Sequence, residues 1–250
     1  MEFTIYMAGL YIKINSLYLQ IWYKCRNYIC RGNDELLRKP DLTITVTITD
    51  IDDFKSDPEN RVLWDDEEIV DNEHIELIIV HKKITEALLE REILLVHGSV
   101  VVTDNEAYMI TGPSGIGKTY RSKQWITNIP GSYFLNGDKP YLIFRDEQIF
   151  ACGSPWCGKE RFSSNKIIPL HAIFFLERAS KTQLVELSFW EAFPLLINQT
   201  YHSYDSKKIM ETIRILNKMD GKVKLFRFLS TKEPESVIEA YNIARSGKNK

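Results

Sequence analysis

The chain has 250 residues, of which 44% are hydrophobic, 12% aromatic and 26% charged. That length and balance support a packed core, as one large domain or a catalytic domain with an appendage, and exclude wholesale disorder. A formal net charge of −2 supplies no general attraction for nucleic acid or for an anionic membrane surface.

The four cysteines, Cys25, Cys30, Cys152 and Cys157, are too sparse for a disulfide framework. They also lack the spacing of a zinc knuckle, so they read as reduced, buried or half-buried thiols. At the start of the chain Lys13, Asn15 and Gln20 interrupt the only apolar candidate. Neither an export signal nor a membrane span is expected, and the expected location is the cytoplasm.

In chain order, residues 3–14 read as two short strands turning at Ala8-Gly9, and 16–30 carry apolar side chains at near-helical spacing. Residues 42–49 alternate apolar residues with threonine, the pattern of a half-buried strand. Residues 50–72 are rich in acids and hold Pro58 and Asn60, so they read as an irregular connection and a seam. The seam divides a small N-terminal α+β region, 1–72, which could dock a substrate or partner, from a catalytic domain over 73–250. An amphipathic helix at 73–91 is expected to open the latter. Strands follow at 94–102, 107–111, 132–135, 141–145, 148–151, 172–177 and 223–229, and helices at 118–128, 188–200, 206–219 and 233–245. This mixture predicts an α/β architecture. The lysine-rich end, 246–250, is expected to fray.

The segment Gly112-Pro113-Ser114-Gly115-Ile116-Gly117-Lys118-Thr119 satisfies G-x-x-x-x-G-K-[ST] in full and lies between an apolar strand and a helix. Its glycines let successive N–H groups converge on phosphate oxygens, and the following helix aims its positive end at the same anion. Ser114, Gly115, Ile116 and Gly117 supply the cradle, Lys118 reaches the β and γ phosphates, and the Thr119 hydroxyl can ligate Mg²⁺. The bland reading, a glycine turn that happens to precede a lysine, leaves the full match and its strand unexplained.

Phosphoryl transfer also needs a carboxylate to hold Mg²⁺ or accept a proton. Asp138, after the apolar run Tyr133-Phe134-Leu135, is the nearest candidate. Asn136-Gly137 is equally a hairpin-turn signal, in which Asp138 merely finishes the turn. Lys159 and Arg161 follow a glycine-containing stretch and suit a phosphoryl group or an acidic substrate, or are simply solvated cations. Trp156 reads as a packing anchor rather than a stacking platform. His97 either tunes a base or is a satisfied core histidine. His74, His81, His171 and His202 suggest nothing beyond surface or core roles.

His97-Gly98-Ser99, the loop 112–119, Asn136-Gly137-Asp138-Lys139-Pro140 and Gly153-Ser154-Pro155-Trp156-Cys157-Gly158-Lys159 occur in an order that resembles the HPr kinase and phosphoenolpyruvate carboxykinase superfamily. More narrowly, the chain looks like the short bacterial HPr-kinase-like proteins often labelled as carboxykinases. Specific motifs span residues 93 to about 177. The resemblance implies a P-loop-containing α/β core that holds ATP (or GTP) with Mg²⁺ and passes phosphate to a serine hydroxyl of a peptide or small protein. It assigns Lys118 and Thr119 to nucleotide and metal, Asp138 to the second of the family's paired aspartates, and His97 to the histidine ahead of the loop. Gly137 stands where the first of those acids is expected.

An ATP-dependent serine kinase therefore leads, with Asp138, Lys118, His97 and Arg161 as its catalytic set and Lys159 assisting at the nucleotide. A non-catalytic nucleotide sensor or partner in a peptide-modification system is the alternative that Gly137 favours. A carboxykinase acting on a small organic acid ranks third, because the extra elements of the long carboxykinases are not found. The chain is as compatible with a homo-oligomer as with a monomer.

Overall fold

The computed structural model describes residues 1–32, 38–57, 71–201 and 205–246. Pro58, Asn60, His202 and the last four residues lie outside these ranges. The chain forms two compact units, Met1–Glu90 and Arg91–Lys250.

In the first unit β1 (Glu2–Met7) and β2 (Leu10–Asn15) form the expected hairpin. Ala8 and Gly9 at its tip have φ of 56° and 82°, the positive values that two-residue hairpin loops require. α1 (Gln20–Cys25) is shorter than the apolar spacing suggested. β3 (Leu42–Thr45) runs parallel to β2 and stops early because Thr47 caps a helix, α2 (Ile48–Ser56). The Thr47 hydroxyl accepts from the Asp50 N–H, and the Asp50 carboxylate accepts from the Thr47 N–H. This reciprocal box makes 48–56 helical where acidic composition suggested an irregular connection.

α3 (Asn72–Leu89) begins at the Asp71 cap, close to where periodicity placed it. Its Glu76 is fully buried and accepts from the N–H groups of Leu17 (2.5 Å) and Tyr18 (3.0 Å), while Lys83 pairs with Asp50 at 2.6 Å. A buried carboxylate requires such partners. These ties bind α3 to the first unit, so the division falls after Glu90 rather than at the composition seam near residue 72.

The second unit is a mixed α/β structure around a curled sheet. The run read as one strand over 94–102 is two, β4 (Ile93–Leu95) and β5 (Gly98–Thr103). They are interrupted where the His97 N–H donates to the Gln199 carbonyl at 2.7 Å. β6 (Glu106–Thr111), α4 (Lys118–Asn128), β7 (Tyr133–Asn136), β8 (Tyr141–Arg145) and β9 (Gln148–Cys152) follow. After the long β10 (Ile167–Arg178) come β11 (Gln183–Glu186), α5 (Phe189–Ile197), α6 (Ser206–Asn217), β12 (Lys224–Ser230) and α7 (Glu235–Arg245).

The sheet runs β4-β8-β9-β10-β6-β5-β7, with β12 also beside β10 and β11 beside β12. The curl comes from β10. Its first residues, Ile167 to Pro169, pair antiparallel with β9, and from Leu170 onward it pairs parallel with β6 and then with β12. Pro169, which has no N–H to donate, occupies the handover, where one side of the strand has no ladder to complete.

β5 is antiparallel to both β6 and β7, so β6, β7, β10 and β12 all point one way. On one face of this sheet Trp125 of α4 is fully buried against Tyr108 and Phe174, with ring centroids 5.0 and 5.7 Å away. Its indole N–H donates to Thr103 Oγ1 at 2.9 Å. Val237, Ala240 and Ala244 of α7 extend the same core. This packing holds α4 rigidly on the sheet and so fixes where the helix begins.

Candidate functional site

Because β6, β7, β10 and β12 share a direction, their carboxyl ends lie along one sheet edge, where open α/β sheets bind ligands. That edge gathers Gly112 after β6, Asp138 just after β7 and Arg178 at the end of β10. The antiparallel β5 begins there, which brings in His97. The Gly98–Thr111 register sets His97 beside Gly112, and the Thr111 hydroxyl donates to the His97 carbonyl at 2.6 Å.

Residues 112–117 turn from β6 into α4. Gly112, Gly115 and Gly117 have φ of 144°, 74° and 115°, in the region open chiefly to glycine. At Gly112 space is also short, since a Cβ would approach the Leu176 carbonyl at 3.2 Å. Ser114 is exposed, and Ile116 is half-buried. Gly117 is the N-cap of α4 and offers no side-chain acceptor to the first-turn N–H groups, whereas Thr47, Asp71, Ser188 and Asp205 cap α2, α3, α5 and α6. An uncapped helix start on a rigid core is suited to an anion.

Lys118 is only 8% exposed, and its ammonium donates to the carbonyls of Gly112 (3.0 Å) and Pro113 (3.1 Å). Burial lowers its pKa, and the charge of Asp138 opposes that shift. Lysine and carboxylate therefore share one local field.

Asp138 does not finish a hairpin. β7 pairs with β5, while β8 pairs with β4 and β9, so the connection between β7 and β8 crosses from one part of the curled sheet to another. The fully buried Asn136 organises that crossing. Its Oδ1 accepts from the N–H groups of Asp138 (2.9 Å) and Lys139 (2.8 Å), and its Nδ2 donates to Ser154 O (3.0 Å) and Oγ (3.1 Å). His97 Nε2 stands 3.4 Å from Asp138 Oδ1. That contact is long for a hydrogen bond, yet the imidazole is the leading influence that lowers the Asp138 pKa, against burial, with Lys139 and Lys118 adding to it. An ionised carboxylate thus lies within electrostatic reach of the Lys118 ammonium.

Gly137 has no room for a side chain: a Cβ there would sit 2.8 Å from the Cys157 carbonyl oxygen. The carboxylate expected from the resemblance at this position is excluded by packing as well as by sequence.

Asp138 and the Thr119 hydroxyl are the groups that would hold Mg²⁺. The described residues contain no cluster of three or more His, Cys, Asp or Glu that could enclose a metal. This donor set fits an ion shared with a nucleotide, which uses one or two carboxylates and phosphate oxygens, rather than one caged by protein alone.

No family model matches the chain, and no curated protein matches it. Among solved structures, the HPr(Ser) kinase/phosphatase from Coxiella burnetii aligns over 61% of this chain and 99% of its own, at 14% identity and a TM-score of 0.36. A likeness at that level carries no argument about chemistry, which must come from the geometry. No helix among the described residues is long and apolar enough to cross a membrane.

The remaining predicted residues lie at the periphery. Lys159 and Arg161 are exposed, on a turn whose Gly158 position abuts the Asp138 side chain, a Cβ there lying 3.2 Å from Asp138 Cβ. Glu160 between them pairs with Lys123 of α4 at 3.0 Å. Among the described residues no ion pair or side-chain hydrogen bond joins Lys159 or Arg161 to the loop or to Asp138. Trp156 is buried and its carbonyl accepts from the Lys139 N–H at 3.1 Å, an anchoring role. All four cysteines are buried thiols.

Sequence reasoning missed Asn136 as an organiser, although an Asn two residues before a polar residue is an Asx-turn signal. It also missed Arg178, whose guanidinium donates to the carbonyls of Gly115 (2.7 Å) and Ile116 (3.3 Å) and braces the loop. No local signal marks that role.

Proposed function

We propose that this protein is an ATP-dependent phosphotransferase with a P-loop core of the HPr-kinase kind, passing the γ-phosphate to a serine hydroxyl of a peptide or small protein. The observation that carries the reading is the pairing of an uncapped, glycine-turned helix start and its buried lysine with an ionised aspartate held by His97, all at one sheet edge.

In this reading the loop amides and Lys118 orient the phosphates; Thr119 and Asp138 would hold a Mg²⁺, which would supply neutralisation of the phosphate charge. The serine Oγ forms a bond to the γ-phosphorus as the bond to the β-bridging oxygen breaks. The hydroxyl proton passes to the Asp138 carboxylate. A carboxyl of lowered pKa is a weak base, but phosphoryl transfer through a loose transition state depends on positioning more than on base strength. His97 holds that carboxylate in place. Lys159 and Arg161, on the turn rooted against Asp138, offset charge on the transferring group.

The test is transfer of labelled γ-phosphate to a serine peptide library. Asp138→Asn is expected to lower turnover at least about 100-fold, within the usual range for a general acid or base, with affinity for ATP measured without Mg²⁺ largely retained. Equal turnover removes Asp138 from the chemistry. The crowded Gly137 favours a second reading, a nucleotide sensor without transfer, which wild-type protein that binds ATP yet labels no peptide would support.

A further inference from the structure

The geometry points to a nucleobase subsite in the cavity that borders the phosphate loop, on the side of β6 away from Asp138. The inference rests on the reading of the loop as a nucleoside triphosphate site and adds where the nucleoside lies.

The cavity encloses about 580 Å³, within the roughly 300–1,000 Å³ typical of small-molecule sites. It starts at Ile116 and Gly117 of the loop itself and extends to the ends of β10 and β12, at Arg178 and Ser230. The strand order decides the polarity of a bound ligand. Asp138 follows β7, reached from β6 through β5, whereas β10 and β12 lie on the other flank of β6. A triphosphate whose terminal group faces Asp138 therefore directs its nucleoside towards the cavity.

The wall suits a planar aromatic ring. Tyr120, the residue after the motif threonine, is 50% exposed yet fixed at its far end: its hydroxyl donates to the Lys232 carbonyl (3.3 Å) and accepts from Gln124 Nε2 (2.9 Å). Gln124 Nε2 also donates to the Lys232 carbonyl at 3.0 Å, closing the clamp. The guanidinium carbon of the buried Arg121 lies 5.2 Å from the ring centroid. An immobilised phenol ring loses little entropy when a base stacks on it, and every base has a π face to offer.

Calorimetric titration with Mg·ATP and with Mg·tripolyphosphate, which has no nucleoside, separates the subsite from the loop. Tyr120→Ala is expected to weaken ATP binding about tenfold, a factor in keeping with the loss of one base–aromatic stack, and to leave tripolyphosphate binding unchanged. Tyr120→Phe, which keeps the stacking ring but loses its hydroxyl clamp, should bind ATP more tightly than Tyr120→Ala and no more tightly than wild type, while Ala179→Trp, which fills the cavity, should show the same selective loss as Tyr120→Ala. The subsite is overturned if Tyr120→Ala and Ala179→Trp bind ATP normally, or if they lose both ligands in equal proportion. Wild type that binds tripolyphosphate as tightly as ATP sinks the subsite but leaves the loop standing. Wild type that binds neither sinks both.

Discussion

Placing at position 137 the acid that the sequence resemblance led one to expect, by Gly137→Asp, tests whether that position is closed by packing. The φ of Gly137 is outside the left-handed region, so space alone is at stake. A Cβ would lie 2.8 Å from the Cys157 carbonyl oxygen, 3.5 Å from Phe162 Cβ and 3.6 Å from the Phe162 oxygen. The first contact is with backbone, which cannot rotate away, and the Gly137 N–H is itself committed to the Phe162 carbonyl at 2.9 Å. Overpacking of this kind costs about 1–3 kcal/mol. At about 2–4 °C per kcal/mol for a domain of this size, Gly137→Ala should lower the melting temperature by about 2–12 °C. Gly137→Asp should lose more, because its carboxylate would be forced towards the carbonyl oxygens of Cys157 and Phe162. Differential scanning calorimetry on wild type and the two variants measures the loss, and labelled phosphate transfer measures the gain, which is expected to be none. A neutral Gly137→Ala together with a Gly137→Asp variant that transfers phosphate faster would refute the steric argument and make Gly137 a simple loss of function.

Asn136→Ala leaves the Asp138 N–H without its acceptor and is expected to cost about 1–3 kcal/mol, read as a lower urea midpoint, with phosphate transfer falling while ATP affinity holds; an unchanged midpoint and unchanged transfer would contradict the organising role. The lowered pKa of Asp138 fixes the sign of a pH effect: its carboxylate contributes stability at pH above its unfolded value, about 3.9, and loses it as pH falls through the lower folded value. The difference in urea midpoint between wild type and Asp138→Asn should therefore still be present at pH 5 and shrink below about pH 4. A difference already lost at pH 5 would show that His97 does not hold the carboxylate as described.

The segment 112–119 was legible as a glycine turn into a helix because its signal is local. Eight consecutive residues encode a turn, a helix start and a cation, and the structure places them in that order. From its local sequence Asp138 was legible only as a candidate, and the resemblance alone put it in the catalytic set, since Asn136-Gly137 carries the same turn chemistry whether β7 pairs with β8 or with β5. That choice is made by non-local pairing, Val101 with Phe134 and Val102 with Tyr133. The early start of β10 was hidden by Pro169, which reads as a strand breaker unless the strand changes partners there. The helix at Ile48–Ser56 was hidden differently: its acids suggested a loop, although Thr47 and Asp50 formed a box that local reasoning could have found. The α3 helix was found, but its allegiance was not, because Glu76 reaches backbone donors at Leu17 and Tyr18 more than fifty residues away. Arg178 and Tyr120 acquire roles only through Gly115 and Lys232, which no window of sequence brings near them.

The central claim is that the loop binds a triphosphate through its amides and Lys118, and calorimetric titration of Mg·ATP into wild type and Lys118→Ala tests it most directly. The account predicts saturable one-to-one binding to wild type and an affinity at least about tenfold weaker in Lys118→Ala, the loss of a charge-assisted contact to phosphate. Wild-type protein that takes up no ATP, or a Lys118→Ala variant that binds it equally well, would contradict the claim.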